Sequence, residues 1–153
     1  DGDSELELYG RLRASLDSES EKIFFRTYYN YYRHPIKKDI PALVPQVYLH
    51  YDPRSKYQRK GKVVYSHQRM DFLMLIPGGV QIVFELDGQQ HYSLNGKAMP
   101  ALYAEMVKDD RALRLKGYEV YRFGGYEFLD ENYAKQIISE FFDELFERYE
   151  IDL

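Results

Sequence analysis

Gln68-Arg69-Met70-Asp71-Phe72-Leu73-Met74-Leu75-Ile76-Pro77-Gly78-Gly79-Val80-Gln81-Ile82-Val83-Phe84-Glu85-Leu86-Asp87 is the stretch on which the fold turns. Two β-rich runs, Gln68 to Ile76 and Val80 to Leu86, flank Pro77-Gly78-Gly79, a turn signal that predicts a hairpin. With a three-residue loop, Ile76 pairs with Val80, which sets Asp71 opposite Glu85 and Arg69 opposite Asp87; a two-residue loop shifts the ladder by one. Directly opposed residues share a face, with Cβ atoms roughly 4.5 to 5.5 Å apart. Regular alternation then puts Asp71, Glu85 and Asp87 on one face with Leu73, Leu75 and Val83. The other face takes Met70, Phe72, Met74, Ile82, Phe84 and Leu86.

Opposed carboxylates repel, and beside an apolar face they cost more unless neutralised. A hard divalent cation does this, since Mg²⁺ is typically held by one or two carboxylates while keeping several waters. The competing reading is an ion-pair network in which Arg69 and other cations balance the acids. Gly88-Gln89-Gln90-His91-Tyr92 follows directly, placing amides and an imidazole within reach of the acids. The four histidines (His34, His50, His67, His91) have no zinc-motif spacing.

Upstream, Leu6, Leu8, Tyr9, Leu12 and Leu16 recur at helical spacing, predicting a helix that ends near Asp17-Ser18. Ser18-Glu19-Ser20-Glu21 reads as a capping box opening a second, aromatic-rich helix to Arg33, which His34-Pro35 ends. A loop with Pro41 and Pro45 leads into a strand from Gln46 to Tyr51. Between Pro53 and Met70 lie six basic residues (Arg54, Lys56, Arg59, Lys60, Lys62, Arg69) and no acidic ones, a run suited to phosphates or simply to solvent.

Downstream, Pro100 opens a helix to about Lys116, with Gly117 as terminator. Its apolar stripe of Leu102, Met106 and Leu113 is interrupted by Asp109-Asp110-Arg111, either as support for the acidic site or as a plain helix ion pair. Tyr118 to Phe123 is a fourth strand, and Tyr133, Ile137, Ile138, Phe141, Phe142, Leu145, Phe146 and Tyr149 mark an amphipathic closing helix. The order is an α/β arrangement: a mixed four-stranded sheet flanked by helices.

The 153 residues suit one domain, from 18 to 153, with a helical extension at 1–17. Hydrophobic content of 44% with 30% charged residues excludes a disordered or membrane-embedded chain. No apolar run approaches the ~20 residues of a membrane span. The absence of Cys excludes disulfides and thiolate metal sites and fits a cytoplasmic location. The net charge of −4 leaves a local positive field as the relevant quantity for polyanions. An opening at Asp1-Gly2-Asp3-Ser4 without Met leads us to expect a piece of a longer protein with further domains.

The ordered set SESEKIFF (18–25), MDFLMLIPGG (70–79), VFELDGQQHY (83–92) and KDDRALRLKGYEVYRF (108–123) resembles the PD-(D/E)xK endonuclease superfamily, in its very-short-patch-repair-like branch. The resemblance covers roughly residues 18 to 149 and rests on EΦDGxQH (Φ apolar) with DDRxLxxxGYEVxRF. It implies a restriction-endonuclease-like αβββαβ core with extra N- and C-terminal helices, and Mg²⁺- or Mn²⁺-dependent hydrolysis of DNA, with RNA a second candidate.

By the same resemblance Asp71 and Glu85 are metal ligands, and Glu21 stands where such families place a helix glutamate facing the metal. Asp87 replaces the usual lysine, which leaves the general base to Gln89, His91 or Lys108, with His91 ranked first. Arg69, Lys108, Arg111 and Arg122 are candidates for phosphate contact or site support, and Arg54, Lys56, Arg59, Lys60 and Lys62 for flanking the duplex. The implied setting is a bacterial defence or repair protein, and double-strand cleavage would need a homodimer or two successive nicks. Two rivals remain: a catalytically silent nucleic-acid-binding or docking module, motivated by Asp87, and a metal-free glycoside hydrolase using paired carboxylates, for which the sixteen tyrosines would supply platforms.

Overall fold

The computed structural model describes residues 2–32, 40–48, 69–88, 93–94 and 97–152. The basic run Arg54, Lys56, Arg59, Lys60 and Lys62, the expected helix stop at His34-Pro35, and Gln89 and His91 lie outside the described residues. The chain runs through α1 (Gly2–Ala14), α2 (Glu19–Tyr32), β1 (Leu43–Tyr48), β2 (Arg69–Ile76), β3 (Val80–Asp87), β4 (Ser93–Leu94) and β5 (Lys97–Ala98). It continues through α3 (Pro100–Leu115), β6 (Tyr118–Gly124), a 3-10 turn at Gly125–Phe128 and α4 (Glu131–Arg148). Strands β1-β2-β3-β6 form one mixed sheet in that order, antiparallel except for the parallel β3–β6 pair, while β4 and β5 pair only with each other. No helix among the described residues is long and apolar enough to cross a membrane.

The hairpin has the three-residue loop: Ile76 pairs with Val80 and Phe72 with Phe84. Gly78 and Gly79 carry φ of 88° and 87°, values that other residues adopt only under strain. Strand β1 begins three residues earlier than expected, at Leu43, and takes in Pro45. Proline is tolerated there because β1 is an edge strand, so the missing N–H removes no bond from the sheet interior. Leu49 to Tyr51, expected as the end of this strand, lie outside the described residues. The β4–β5 ladder was not expected, since two residues per strand leave no periodic pattern.

Helices α2 and α4 cover one face. Phe24 of α2 sits at the hub, its ring 5.1–5.5 Å from those of Phe72, Phe84, Phe123 and Phe142. Each buried tyrosine hydroxyl of α2 has an acceptor: Tyr28 donates to the Pro41 carbonyl at 2.6 Å and Tyr32 to Asp143 Oδ1 at 2.8 Å. Tyr9 and Leu12 of α1, and Leu16 just beyond its end, pack on the same core, whereas Leu6 and Leu8 of the expected stripe face solvent. On the opposite face α3 contributes Leu113 to a small cluster with Met70, Val83 and Val120. Gly117, at φ 94°, ends α3 as expected, its N–H donating to the Arg114 carbonyl. Asp130 caps α4 by accepting from the Tyr133 amide at 2.8 Å.

Met70 belongs to the α3 face, which corrects the regular alternation expected for β2. Residues Leu43, Phe72 and Met74 pack in the α2/α4 core, yet Val47 and Met70, an even number of residues along their strands, pack with Leu113 and Val120. Both strands therefore change phase between the paired Pro45↔Phe72 and Val47↔Met70, at Gln46 and Asp71. No residue is inserted, because the same register continues on both sides of the change. Gln46 has φ 57°, the left-handed region, which a non-glycine residue in a strand seldom visits.

Candidate active site

The phase change lies at the end of the sheet that carries the acids. Asp71 Oδ2 accepts a bond from the Leu86 amide at 2.9 Å. The β2–β3 backbone ladder ends one pair earlier, at Phe72↔Phe84, so the carboxylate sits in the seam between the strands. Glu85 and Asp87 continue along β3 beside β6, where Glu85 pairs in register with Arg122 and Asp87 with Gly124. All three acids are buried, with 8–9% exposure. Burial, then the charge of Asp71, pushes the Glu85 carboxyl up to about 8, against the opposing pull of Arg122.

Asp87 is neutralised directly. Arg122 Nη1 donates to Asp87 Oδ1 at 2.6 Å, while its Nε and Nη2 grip Asp110 of α3 at 2.5–3.0 Å. Burial works against the guanidinium charge, but the Asp110 bonds and the neighbouring carboxylates outweigh it and hold Arg122 more firmly protonated than usual. Asp110, in the interruption of the α3 stripe, is thus bonded to Arg122 of β6. The ion-pair reading of the acids applies to Asp87, although its cation is Arg122 from β6. Gly125 packs under this end of β3 so closely that a Cβ there would stand 2.7 Å from the Asp87 carbonyl oxygen.

Arg69 follows the phase change to the α2 side. Its Nη1 donates to Asp17 Oδ2 at 2.6 Å and its Nη2 lies 3.9 Å from Asp71 Oδ1. Half of the expected capping box is present, the Glu21 amide donating to Ser18 Oγ at 3.2 Å, while the Glu21 carboxylate reaches back to the Asp17 amide and not to that of Ser18. Both Glu21 oxygens are engaged: Oε1 accepts from Ser18 Oγ at 3.1 Å, and Oε2 from the Asp17 amide at 3.0 Å and from Gln46 Nε2 at 2.8 Å. Glu21 is therefore occupied by the helix cap and by Gln46. Lys108 and Arg111 are exposed on α3. Among the described residues no group of three or more His, Cys, Asp or Glu side chains is arranged to hold a metal ion.

Gln46 is the site residue that sequence reasoning missed. It reads as an ordinary first residue of a strand, and nothing in Pro45-Gln46-Val47 signals a left-handed backbone. Among the described tyrosines, Tyr28 and Tyr32 are buried and Tyr9, Tyr29, Tyr121 and Tyr149 pack against the same core, while Tyr31, Tyr48, Tyr103, Tyr126 and Tyr133 are exposed. Scans against protein-family models, curated proteins and solved structures each return no match.

Proposed function

We propose that this chain is a metal-dependent nuclease domain with a restriction-endonuclease-like core of the PD-(D/E)xK type, hydrolysing phosphodiester bonds of DNA. The observation that carries the reading is the buried Asp71–Glu85 pair, two carboxylates from adjacent strands in which burial first and the charge of Asp71 second raise Glu85. Such a pair fits Mg²⁺ or Mn²⁺, which typically needs only one or two carboxylates and completes its shell with water and phosphate oxygens. Bound there, the ion would polarise the scissile phosphate and lower the pKa of a water.

The residues of the chain have separate tasks in this reading. Asp71 and Glu85 hold the cation. Arg122 supplies positive charge beside them, where the resemblance leads one to expect a lysine on β3, and Asp110 fixes its guanidinium plane. Asp87 keeps Arg122 beside Glu85. Gln89 and His91 follow Asp87 within four residues in sequence, so His91 remains the proposed base. The parent would be a bacterial defence or repair protein with further domains, acting on DNA or RNA, as a homodimer where both strands are cut.

A second reading is favoured by the Asp87–Arg122–Asp110 clamp, in which the acid at the lysine position is already paired with a cation of the chain. It is a catalytically silent nucleic-acid-binding or docking module. Calorimetric titration of Mg²⁺ and Mn²⁺ into wild type and Asp71→Ala, with plasmid, single-stranded DNA and RNA assayed alongside, separates the two. The nuclease reading expects metal binding that Asp71→Ala removes, together with cleavage of one polymer. Nucleic acid bound but uncut, with no metal binding by wild type, establishes the silent module.

A further inference from the structure

We infer that Gln46 is a positioning residue whose left-handed backbone and amide bond to Glu21 turn Asp71 out of the sheet face and into the seam between β2 and β3. Three independent observations meet here. Gln46 has φ 57° within a strand. It stands across from Asp71, between the paired Pro45↔Phe72 and Val47↔Met70, and side chains change face on both strands at that point. Its Nε2 donates to Glu21 Oε2 at 2.8 Å, and Glu21 is a buried carboxylate already fixed in the α2 cap.

Their combination has a physical direction. In a regular strand Asp71 would stand on one face of the sheet, as the alternation around it requires. The Leu86 amide would then need another acceptor, since a buried N–H is rarely left unpaired. With the phase change, the Asp71 carboxylate itself takes that amide, at 2.9 Å. An unfavourable φ persists only where surrounding contacts over-determine it, and such residues concentrate at functional sites. The contact that holds Gln46 is its bond to Glu21, so the helix cap of α2 sets the position of a carboxylate on β2. Glu21 acts on the site through Gln46.

The metal-binding half of this inference rests on the proposed nuclease reading; the placement of Asp71 does not. The test compares wild type with Gln46→Val, Gln46→Thr and Gln46→Asn by two readouts: hydrogen exchange at the Leu86 amide, which reports Asp71 without any metal, and Mn²⁺ affinity by calorimetry. β-branched Val and Thr favour the extended backbone, whereas Asn tolerates the left-handed region. In Gln46→Val, Leu86 exchange should accelerate by about tenfold or more while other core amides stay protected. Mn²⁺ affinity should fall by about 10- to 100-fold, and Gln46→Asn, which tolerates the left-handed backbone but shortens the reach to Glu21, should fall between wild type and Gln46→Val in both properties. Gln46→Thr carries the same expectation if the Val variant does not fold. Unchanged Leu86 protection and Mn²⁺ affinity in the folded Val or Thr variant would overturn the inference while leaving the metal reading intact. A wild type that binds no Mn²⁺, with Leu86 protection still lost in Gln46→Val, would overturn the metal reading and retain the placement of Asp71.

Discussion

The two faces of the sheet are built on different physics. The α2/α4 face is a continuous aromatic core in which Phe24 meets four rings and tyrosine hydroxyls are satisfied by carbonyls and a carboxylate. Among the described residues, the α3 face has a cluster of four buried apolar residues, beside a charged end containing Glu85, Asp87, Asp110 and Arg122. Stability resides mainly in the first face, because burial of large apolar surface is the dominant favourable term in folding. Buried charge on the second face costs free energy unless paired, which is a reason to look there for chemistry.

Substitutions on the two faces should separate stability from activity. Phe24→Ala removes the hub of the aromatic face and should lower unfolding free energy by about 3–5 kcal/mol in urea denaturation. Asp71→Ala should have the opposite profile: a cooperative melt with the smaller loss of about 1–3 kcal/mol that an unpaired Leu86 amide costs, and divalent-metal-dependent cleavage reduced on the order of 10²–10³-fold. Glu85→Ala should reduce cleavage likewise. An Asp71→Ala protein that still cuts at the wild-type rate would erase the functional half of the contrast.

The faces should also differ in pH response. Glu85 has its folded pKa raised from 4.5 to about 8 by burial and by Asp71, so the folded state keeps its proton more tightly than the unfolded state. The stabilising contribution is thus fully present below about 4.5 and is lost as pH rises through about 8. Denaturation in chelator across this window should show stability falling with pH by a few kcal/mol, on the order set by ~1.4 kcal/mol per pKa unit. Glu85→Gln should flatten the slope, and a slope unchanged by that substitution would show that another group carries it.

A smaller effect is expected at Gly125, where the sheet end meets the 3-10 turn. A Cβ there meets the Asp87 carbonyl oxygen at 2.7 Å, and backbone cannot yield as a flexible side chain can. Gly125→Ala should cost about 1–3 kcal/mol, readable as a lowered melting temperature. A neutral outcome would mean that the turn and β3 are less tightly joined than their packing indicates.

Much of the architecture is written locally. Pro77-Gly78-Gly79 with matching β-rich flanks set both the hairpin and its register, since the loop needed glycine at positive φ and apolar residues needed to pair. Ser18 and Glu21 marked the start of α2, and Pro100 and Gly117 the limits of α3, because caps are satisfied by neighbours in sequence. The capping acceptor differed in detail: Glu21 takes the Asp17 amide, one residue before the cap.

The candidate site was legible as a set of residues, whereas its geometry came from partners distant in sequence. That Asp71 and Glu85 belong together follows from hairpin register, and register is fixed by the turn. Which cation answers Asp87 could not be read, because Arg122 is delivered by a parallel strand after a helical crossover and Asp110 by the crossover helix itself. The phase change at Gln46 and Asp71 was likewise hidden: Met70 and Phe72 are both apolar, so a strand whose two faces are both covered gives the same pattern with or without it. Sequence alone therefore determined the helices, the strands of the four-stranded sheet and the acids, and narrowed the hairpin to two registers, all governed by local backbone preference and alternation. Only tertiary structure decided which charge meets which and where Asp71 points, because those depend on a strained Gln46 held by a helix cap across the sheet.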